Sequence, residues 1–395
     1  MQSFQPLDRR TFLKGSAASA GTLVAGFGLG GALAPAAFGA SGVDRKTKHV
    51  ILIAFAGGVR SRETFGSPLN VPNLVQLAEE GVLYTRARTA NLGHFGAAMS
   101  LFTGISEARG IRENSRGPDP TLFEYVRKDL ALPGSEVWIS TSGGAQQTNY
   151  SYGLHPDYGP TYGANTLDGD GIFNREFKQV IARYGEPKAM EESEGALLER
   201  MRGAIGAGGF DGSGGSDGSG AGGNAATIER YILEELTKGT SDLRGANASD
   251  AKALRVARNL ISIFKPTLTA VVLQDADVAH GSFNAYVEVI RQNDAAIGEI
   301  VTAVRADPEL AESTSIVVIP EFGRDADLNE RRGLDHGDGS DDLNYVTATC
   351  WGPDFARGKV IRKDVRAIDV CPSVAELLGA KARHARGDRL PGLLV

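Results

Sequence analysis

The sequence predicts an α/β fold: a mostly parallel sheet sandwiched by helices, with an inserted cap region. Three observations predict it. Short runs of strand length alternate with stretches of helical spacing. The runs are apolar throughout, the pattern of strands buried on both faces. Polar clusters follow several of the runs directly, and open α/β sheets bind ligands beyond the carboxyl ends of their strands.

In chain order, "KHVILIAFAGG" (48–58) is an apolar run ending in glycines, a buried strand followed by a tight turn. "VPNLVQLAEEGV" (71–82) has helical spacing, with Gly81 as its C-terminal stop. "AAMSLFTG" (97–104) reads as a second short helix and "SEVWIST" (135–141) as a strand. "PTLTAVVLQ" (266–274) and "STSIVVIPE" (313–321) are two more strands, separated by the amphipathic helix "FNAYVEVIRQNDAAIGEIVTAV" (283–304). "YVTATCWG" (345–352) is a further strand, and "VCPSVAELLGA" (370–380) a helix with Pro372 in its first turn. Residues 142–250 read as an insertion or cap on the sheet. Within it "GAIGAGGFDGSGGSDGSGAGGNAA" (203–226) cannot bury a core, and 203–224 is expected to be a flexible loop between helices at 191–202 and 226–239.

The first forty residues stand apart from the domain, which is expected to span 45–395. Arg9-Arg10 followed by Phe12-Leu13-Lys14, a weakly apolar Gly/Ala-rich run, and the small residues Ala34, Ala36 and Ala40 have the form of a twin-arginine signal peptide. The expected partner is the twin-arginine translocase, and the expected location periplasmic or extracellular. That route carries folded proteins, often with a cofactor already loaded. No other segment is apolar enough to cross a bilayer, so no integral membrane segment is expected after cleavage. With 42 Lys and Arg against 48 Asp and Glu, the formal charge is −6, which argues against nucleic acid as a main partner. The two cysteines, Cys350 in an apolar run and Cys371 at a helix start, are expected to be buried free thiols.

Three polar groups carry the chemistry: "DADVAH" (275–280), "EFGRD" (321–325) and "GLDHGDG" (333–339). The chain has 6 His, and His280 and His336 fall in these groups. A carboxylate with two imidazoles is a common set for Zn²⁺ or a similar divalent ion. Solvated loops would use the same residue types.

The order of pieces resembles the alkaline phosphatase/sulfatase superfamily over 48–122 and 266–395. "VILIAFAGGVRSRET", "VPNLVQLAEEGVLYTRARTA" and "GAAMSLFTGI" match in the first part. The Asp/His loop before a long helix, "IVVIPEFGRD", "LDHGDG" and "VRAIDVCPSVAELLGA" match in the second. The resemblance implies a metal-dependent hydrolase of phosphate or sulfate esters. Members bind two metals, usually zinc, or one calcium in the sulfatase branch, and a Thr, Ser or modified Cys attacks phosphorus or sulfur.

Carried over residue by residue, the resemblance implies a reduced site. Ala56 or Gly57 stands where the first metal-binding Asp follows strand one. The family's later Asp-His pair is Glu321-Phe322, so Glu321 is the remaining ligand candidate there. The other site keeps Asp277, His280 and His336, with Asp275 as an alternative ligand. About one divalent ion is implied, zinc first, with calcium or manganese as alternatives. The nucleophile position falls on His94, which is then a fourth metal ligand, or else a nucleophile or general acid. Arg60 matches an Arg after strand one; it faces an ester anion or pairs with Glu63. Asp335 and Asp338 flank His336 and either orient its ring or are simply polar loop residues. The competing reading is a non-catalytic relative with at most one structural metal and a binding role at the cell envelope.

Overall fold

The computed structural model describes residues 45–106, 115–142, 147–167 and 245–394. The signal peptide, the glycine-rich loop, its two flanking helices and most of the expected insertion lie outside them.

The strands are β1 (His49–Phe55), β2 (Val82–Arg88), β3 (Val137–Thr141), β4 (Asn165–Leu167), β5 (Leu268–Leu273), β6 (Thr314–Pro320), β7 (Tyr345–Trp351), β8 (Lys359–Ile361) and β9 (Val365–Arg366). They form one sheet in the order β4-β3-β5-β1-β6-β7-β2-β8, with β9 also on β2. Every pairing is parallel except the two that β7 makes, with β6 and β2. The mostly parallel sheet expected from the apolar runs is therefore present.

Its central strand shows why those runs do not alternate. In β1, Val50, Leu52 and Ala54 face one apolar layer, while Ile51, Ile53 and Phe55 face another. The first layer is covered by α2 (His94–Thr103), α3 (Leu122–Asp129) and α8 (Val370–Leu378). The second is covered by α1 (Pro72–Glu80), α4 (Ala248–Phe264) and α5 (Phe283–Ala306). Two shorter helices, α6 (Pro308–Ser313) and α7 (Asp341–Asn344), precede β6 and β7. Both sheet faces are buried, so both sets of side chains must be apolar. Among the described residues no helix is long and apolar enough to cross a membrane. Cys350 in β7 and Cys371 in α8 are free and buried.

Sequence reading missed β2, α3 and α4. In β2, a register shift between Tyr84 and Ala87 breaks the side-chain alternation, and Arg86 and Arg88 disguise an edge-side strand. Helix α3 has a capping box, Thr121 with Glu124, a local signal that could have found it. Part of the expected insertion sits in the sheet itself: β4 pairs with β3 at the edge.

Gly81 ends α1, but for a different reason from the one expected. Its backbone is not left-handed (φ −123°). Instead, a Cβ there would lie 2.1 Å from the Cys350 carbonyl oxygen, so glycine is needed for the close approach of α1's end to β7. Gly81→Ala is expected to cost about 2–3 kcal/mol in chemical denaturation, because backbone must move to admit the methyl group. An unchanged denaturation midpoint would contradict this.

The connection from β6 to β7 positions the site. It leaves and re-enters the sheet at the same end, so β7 must run antiparallel to β6. Residues 321–340 thus stay above the carboxyl ends of β1, β5 and β6.

Candidate metal centre

Four elements converge at that end of the sheet. After β1 come Ala56, Gly57 and Gly58. After β5 comes a short 3-10 helix, Asp275–His280. The loop after β6 carries Glu321, Phe322, Arg324 and, further on, His336. His94 is the first residue of α2. The loop is pinned to the 3-10 helix: Leu334 N donates to the Ala279 carbonyl, and Asn329 Nδ2 to that of His280. A Cβ on Gly333 would lie 2.2 Å from the Ala279 oxygen, so the close approach requires glycine.

One ligand atom from each of His94, Asp277, His280 and His336 lies within 4.8 Å of the other three. Asp277 Oδ1 is 3.0 Å from His94 Nε2 and 3.3 Å from His280 Nε2. The His336 ring centroid is 4.9 Å from that of His94, 5.0 Å from that of His280 and 5.1 Å from that of Phe322.

Hydrogen-bond chemistry assigns the tautomers. His94 Nδ1 lies 3.0 Å from the Ala56 carbonyl oxygen and 2.5 Å from Glu321 Oε1. A carbonyl can only accept, so Nδ1 carries a hydrogen, and in the neutral ring the lone pair is on Nε2. That Nε2 is buried and has no well-formed hydrogen bond, despite its proximity to Asp277. A buried ring nitrogen facing a carboxylate and two imidazoles can hold a metal ion once it gives up its proton. His280 Nδ1 lies 2.6 Å from Asp335 Oδ1, and its Nε2 lies 3.1 Å from Arg324 Nη1. A guanidinium can only donate, so His280 Nε2 is the acceptor and Nδ1 the donor.

The electrostatics follow from these contacts. Burial pulls the His94 ring down, but Asp277 and Glu321 outweigh it and raise it to about 10. Burial pushes Asp277 up, yet His94 and Arg324 hold it well below the usual carboxylate range. Glu321 is wholly buried, and burial pushes it up to about 8 against the pull of His94. His336 is lowered by burial first, then by the positive charges of His94 and Arg324. It therefore stays neutral, the form that binds a metal.

Beside the cluster, the space after β1 and β6 is filled with protein. A Cβ on Gly57 would lie 2.6 Å from the Gln274 oxygen and 2.7 Å from Asp277 N, so no aspartate fits there. Gly58 is left-handed (φ +66°), and a Cβ on it would lie 2.8 Å from both Arg324 Nε and Phe322 Cε2. Phe322 packs on the His94 ring at 4.9 Å. Arg324 is fully buried. Its Nε donates to Gly58 O; Nη1 donates to His280 Nε2 and Leu334 O; Nη2 donates to Gly57 O and Asp277 Oδ1. All five of its N–H donors are used.

No family model matches the chain, and no curated protein matches it in sequence. Solved structures do match in shape. The chain is similar to wild-type alkaline phosphatase PafA, with TM-score 0.57 and 9% identity over 90% of this chain and 100% of that one. It is also similar to a phosphonate monoester hydrolase of Agrobacterium radiobacter, with TM-score 0.52 and 16% identity over 88% of this chain and 77% of that one. The fold is the one that these alkaline phosphatase and phosphonate monoester hydrolase structures have. In that alkaline-phosphatase-like frame the four-residue cluster lies at the strand ends, where open α/β sheets take their ligands.

Within the superfamily fold, three expected site residues take other roles. Arg60 does not face an anion: it is buried, with Nε and Nη2 on Glu63 and Nη1 on the carbonyls of Asp325 and Ala326. The expected pairing with Glu63 is present, as a buried rather than a surface bridge. Asp275 points away from the cluster, accepting from the backbone N–H of Asp250 at the start of α4. Glu321 sits behind His94, where it orients the ring instead of joining the ligand atoms. Asp335, expected beside His336, instead holds His280, and Asp338 accepts from Ala326 N. Arg324 was not singled out from the sequence. It lies inside "EFGRD", and its only signal was a cation among carboxylates after a strand.

Proposed function

We propose that the chain is an exported, metal-dependent hydrolase of phosphate or sulfate esters, with one metal site where superfamily members usually have two. The observation that carries this reading is the convergence of His94, Asp277, His280 and His336, one ligand atom each within 4.8 Å, at the carboxyl ends of the strands. His94, Asp277 and His336 would hold the ion, with His280 at its edge. The imidazole-rich donor set favours zinc, and calcium and manganese remain to be compared with it. A bound ion would polarise an ester oxygen and neutralise the charge that develops on it.

The chain's own residues do the rest. Glu321 holds His94 Nδ1–H, so that Nε2 faces the centre. Arg324 keeps Asp277 ionised. Asp277, with its side chain 47% exposed, opens the cluster to a small ester from solvent. The place of Nε2, buried beside Asp277 and two imidazoles, supports a ligand role for His94 over a nucleophilic one.

Elemental analysis of protein purified without chelator or affinity metal should find about one divalent ion per chain. Aryl phosphate, phosphodiester and sulfate esters, assayed with Zn²⁺, Mn²⁺ or Ca²⁺, should include a substrate. Two ions per chain, or metal-loaded protein that turns over none of these, would overturn the proposal. The signal at Arg9-Arg10 supports export through the twin-arginine translocase to the periplasm or beyond. Replacing both arginines with lysine should leave the protein in the cytoplasmic fraction; unchanged fractionation would remove that assignment.

A further inference from the structure

We infer that Arg324 is a positioning residue that keeps His280 off the metal, so that the ion takes three protein ligands, His94, Asp277 and His336, and retains a position for a small anion. The inference rests on the single-metal reading above and specifies how that site works.

The argument turns on one lone pair. His280 Nδ1 is committed as a donor to Asp335, at 2.6 Å. The ring's only in-plane lone pair is therefore on Nε2, and Arg324 Nη1 already donates to it at 3.1 Å. One lone pair cannot accept from a guanidinium and bind a cation at once. Two positive groups at the same nitrogen would also repel each other in a poorly solvated pocket.

Arg324 is the partner that stays. It is fully buried and has an acceptor for each of its five N–H groups, three of them backbone carbonyls. Turning it away from His280 would strand a donor of a buried cation, which is strongly unfavourable. The glycines lock it in place: a side chain on Gly58 would collide with Arg324 Nε. His94 and His336 are under no such constraint. His94 Nε2 faces a carboxylate, Asp277, which can share a cation with it, and His336 meets the cluster through ring contacts.

The consequence separates a catalytic centre from a structural one. Four protein ligands close a tetrahedral site, whereas three leave a position open. The four residues lie close enough for closure. Arg324, by occupying the fourth, leaves the centre open, and it supplies a fixed positive charge on the side where Gly57 and Phe322 replace ligands.

The test uses metal binding as its readout. Zn²⁺ affinity, measured by chelator competition, is compared for the parent, His280→Gln and His336→Ala; glutamine keeps an acceptor for Arg324. His280→Gln is expected to bind within about threefold of the parent, and His336→Ala at least about 100-fold more weakly. A second arm uses Arg324→Met, which frees the His280 lone pair. Its Zn²⁺ affinity should rise at least about tenfold, and that gain should vanish in Arg324→Met/His280→Gln. A gain that persists in the double variant would reflect charge removal alone and would overturn the inference. Loaded with Co²⁺, the parent's visible spectrum should shift on adding inorganic phosphate, while that of Arg324→Met should not. If His280→Gln loses the ion as badly as His336→Ala, the inference fails while the single-metal reading stands. A parent that takes up no ion overturns the reading itself. Should Arg324→Met not fold, the His280→Gln comparison decides alone.

Discussion

On the function proposed above, His94→Ala is expected to weaken metal binding at least about 100-fold and to reduce ester turnover to background, because it deletes a nitrogen already buried and aimed at the cluster. Glu321→Gln should fall between parent and His94→Ala, losing about 10–100-fold in affinity, as partners behind metal-bound histidines typically do. Both are read by chelator competition alongside kcat/KM. If His94 were instead the nucleophile or general acid, His94→Ala would leave metal content unchanged while abolishing turnover. The metal-free site adds a pH signature. Asp277 and Glu321 raise His94 to about 10, so near neutral pH the ring carries a proton that an incoming ion must displace. Affinity should therefore climb as pH rises from 6 toward 9 by an amount approaching tenfold per unit (about 1.4 kcal/mol). A flat profile for the parent would mean that His94 is not a ligand.

Gly57→Asp, which puts an aspartate where the resemblance to the alkaline phosphatase/sulfatase superfamily implies one, is expected to damage the protein rather than create a second metal site. Its Cβ would lie 2.6 Å from the Gln274 oxygen and 2.7 Å from Asp277 N. Both are backbone atoms, so neither can swing aside. They belong to the turn that carries Asp277, and Arg324 donates to the Gly57 carbonyl as well. Accommodating the side chain would shift that turn and leave a new carboxylate in a crowded pocket. A loss of about 3 kcal/mol or more is expected in chemical denaturation. Metal content should not exceed one ion per chain. A Gly57→Asp protein of parental stability holding two ions would contradict the account of why this half of the site is filled.

These expectations share a cause: His94, Asp277, His280 and His336 bring ligand atoms together, and the space beside them is occupied by backbone, Phe322 and Arg324. The cluster was partly legible in the sequence because two of its residues follow a strand directly. Asp277 and His280 come within seven residues of Leu273, and such positions must lie above the carboxyl edge of a parallel sheet. His336 was legible only by its place in the order of pieces, since it lies beyond a long loop. Gly57 and Phe322 could be seen in the sequence to offer no ligand atom. What packs around them could not be seen.

Arg60 and Arg324 make the difference concrete. Each is an arginine a few residues past a strand end, and on paper either suits an anion. Arg60 lies three residues from Glu63, close enough for a local pair, and the distant carbonyls of Asp325 and Ala326 complete its burial away from the site. The partners of Arg324 are the Gly58 and Gly57 carbonyls, 266 and 267 residues away, and the nearer Leu334 carbonyl, together with His280 and Asp277.

By itself, then, the sequence determined the α/β class, the chain order of β1, β3, β5, β6 and β7 and of α1, α2, α5 and α8, and the set of imidazoles and carboxylates from which the cluster is drawn. Those depend on local apolar periodicity and on position relative to strand ends. Only the tertiary structure decided the tautomers of His94 and His280, the burial of Arg60, the exclusion of a side chain at Gly57, and which cation meets His280. Each of these is set by atoms brought within about 3 Å from distant parts of the chain, and hydrogen-bond direction and steric exclusion at that range exist only once the chain has folded.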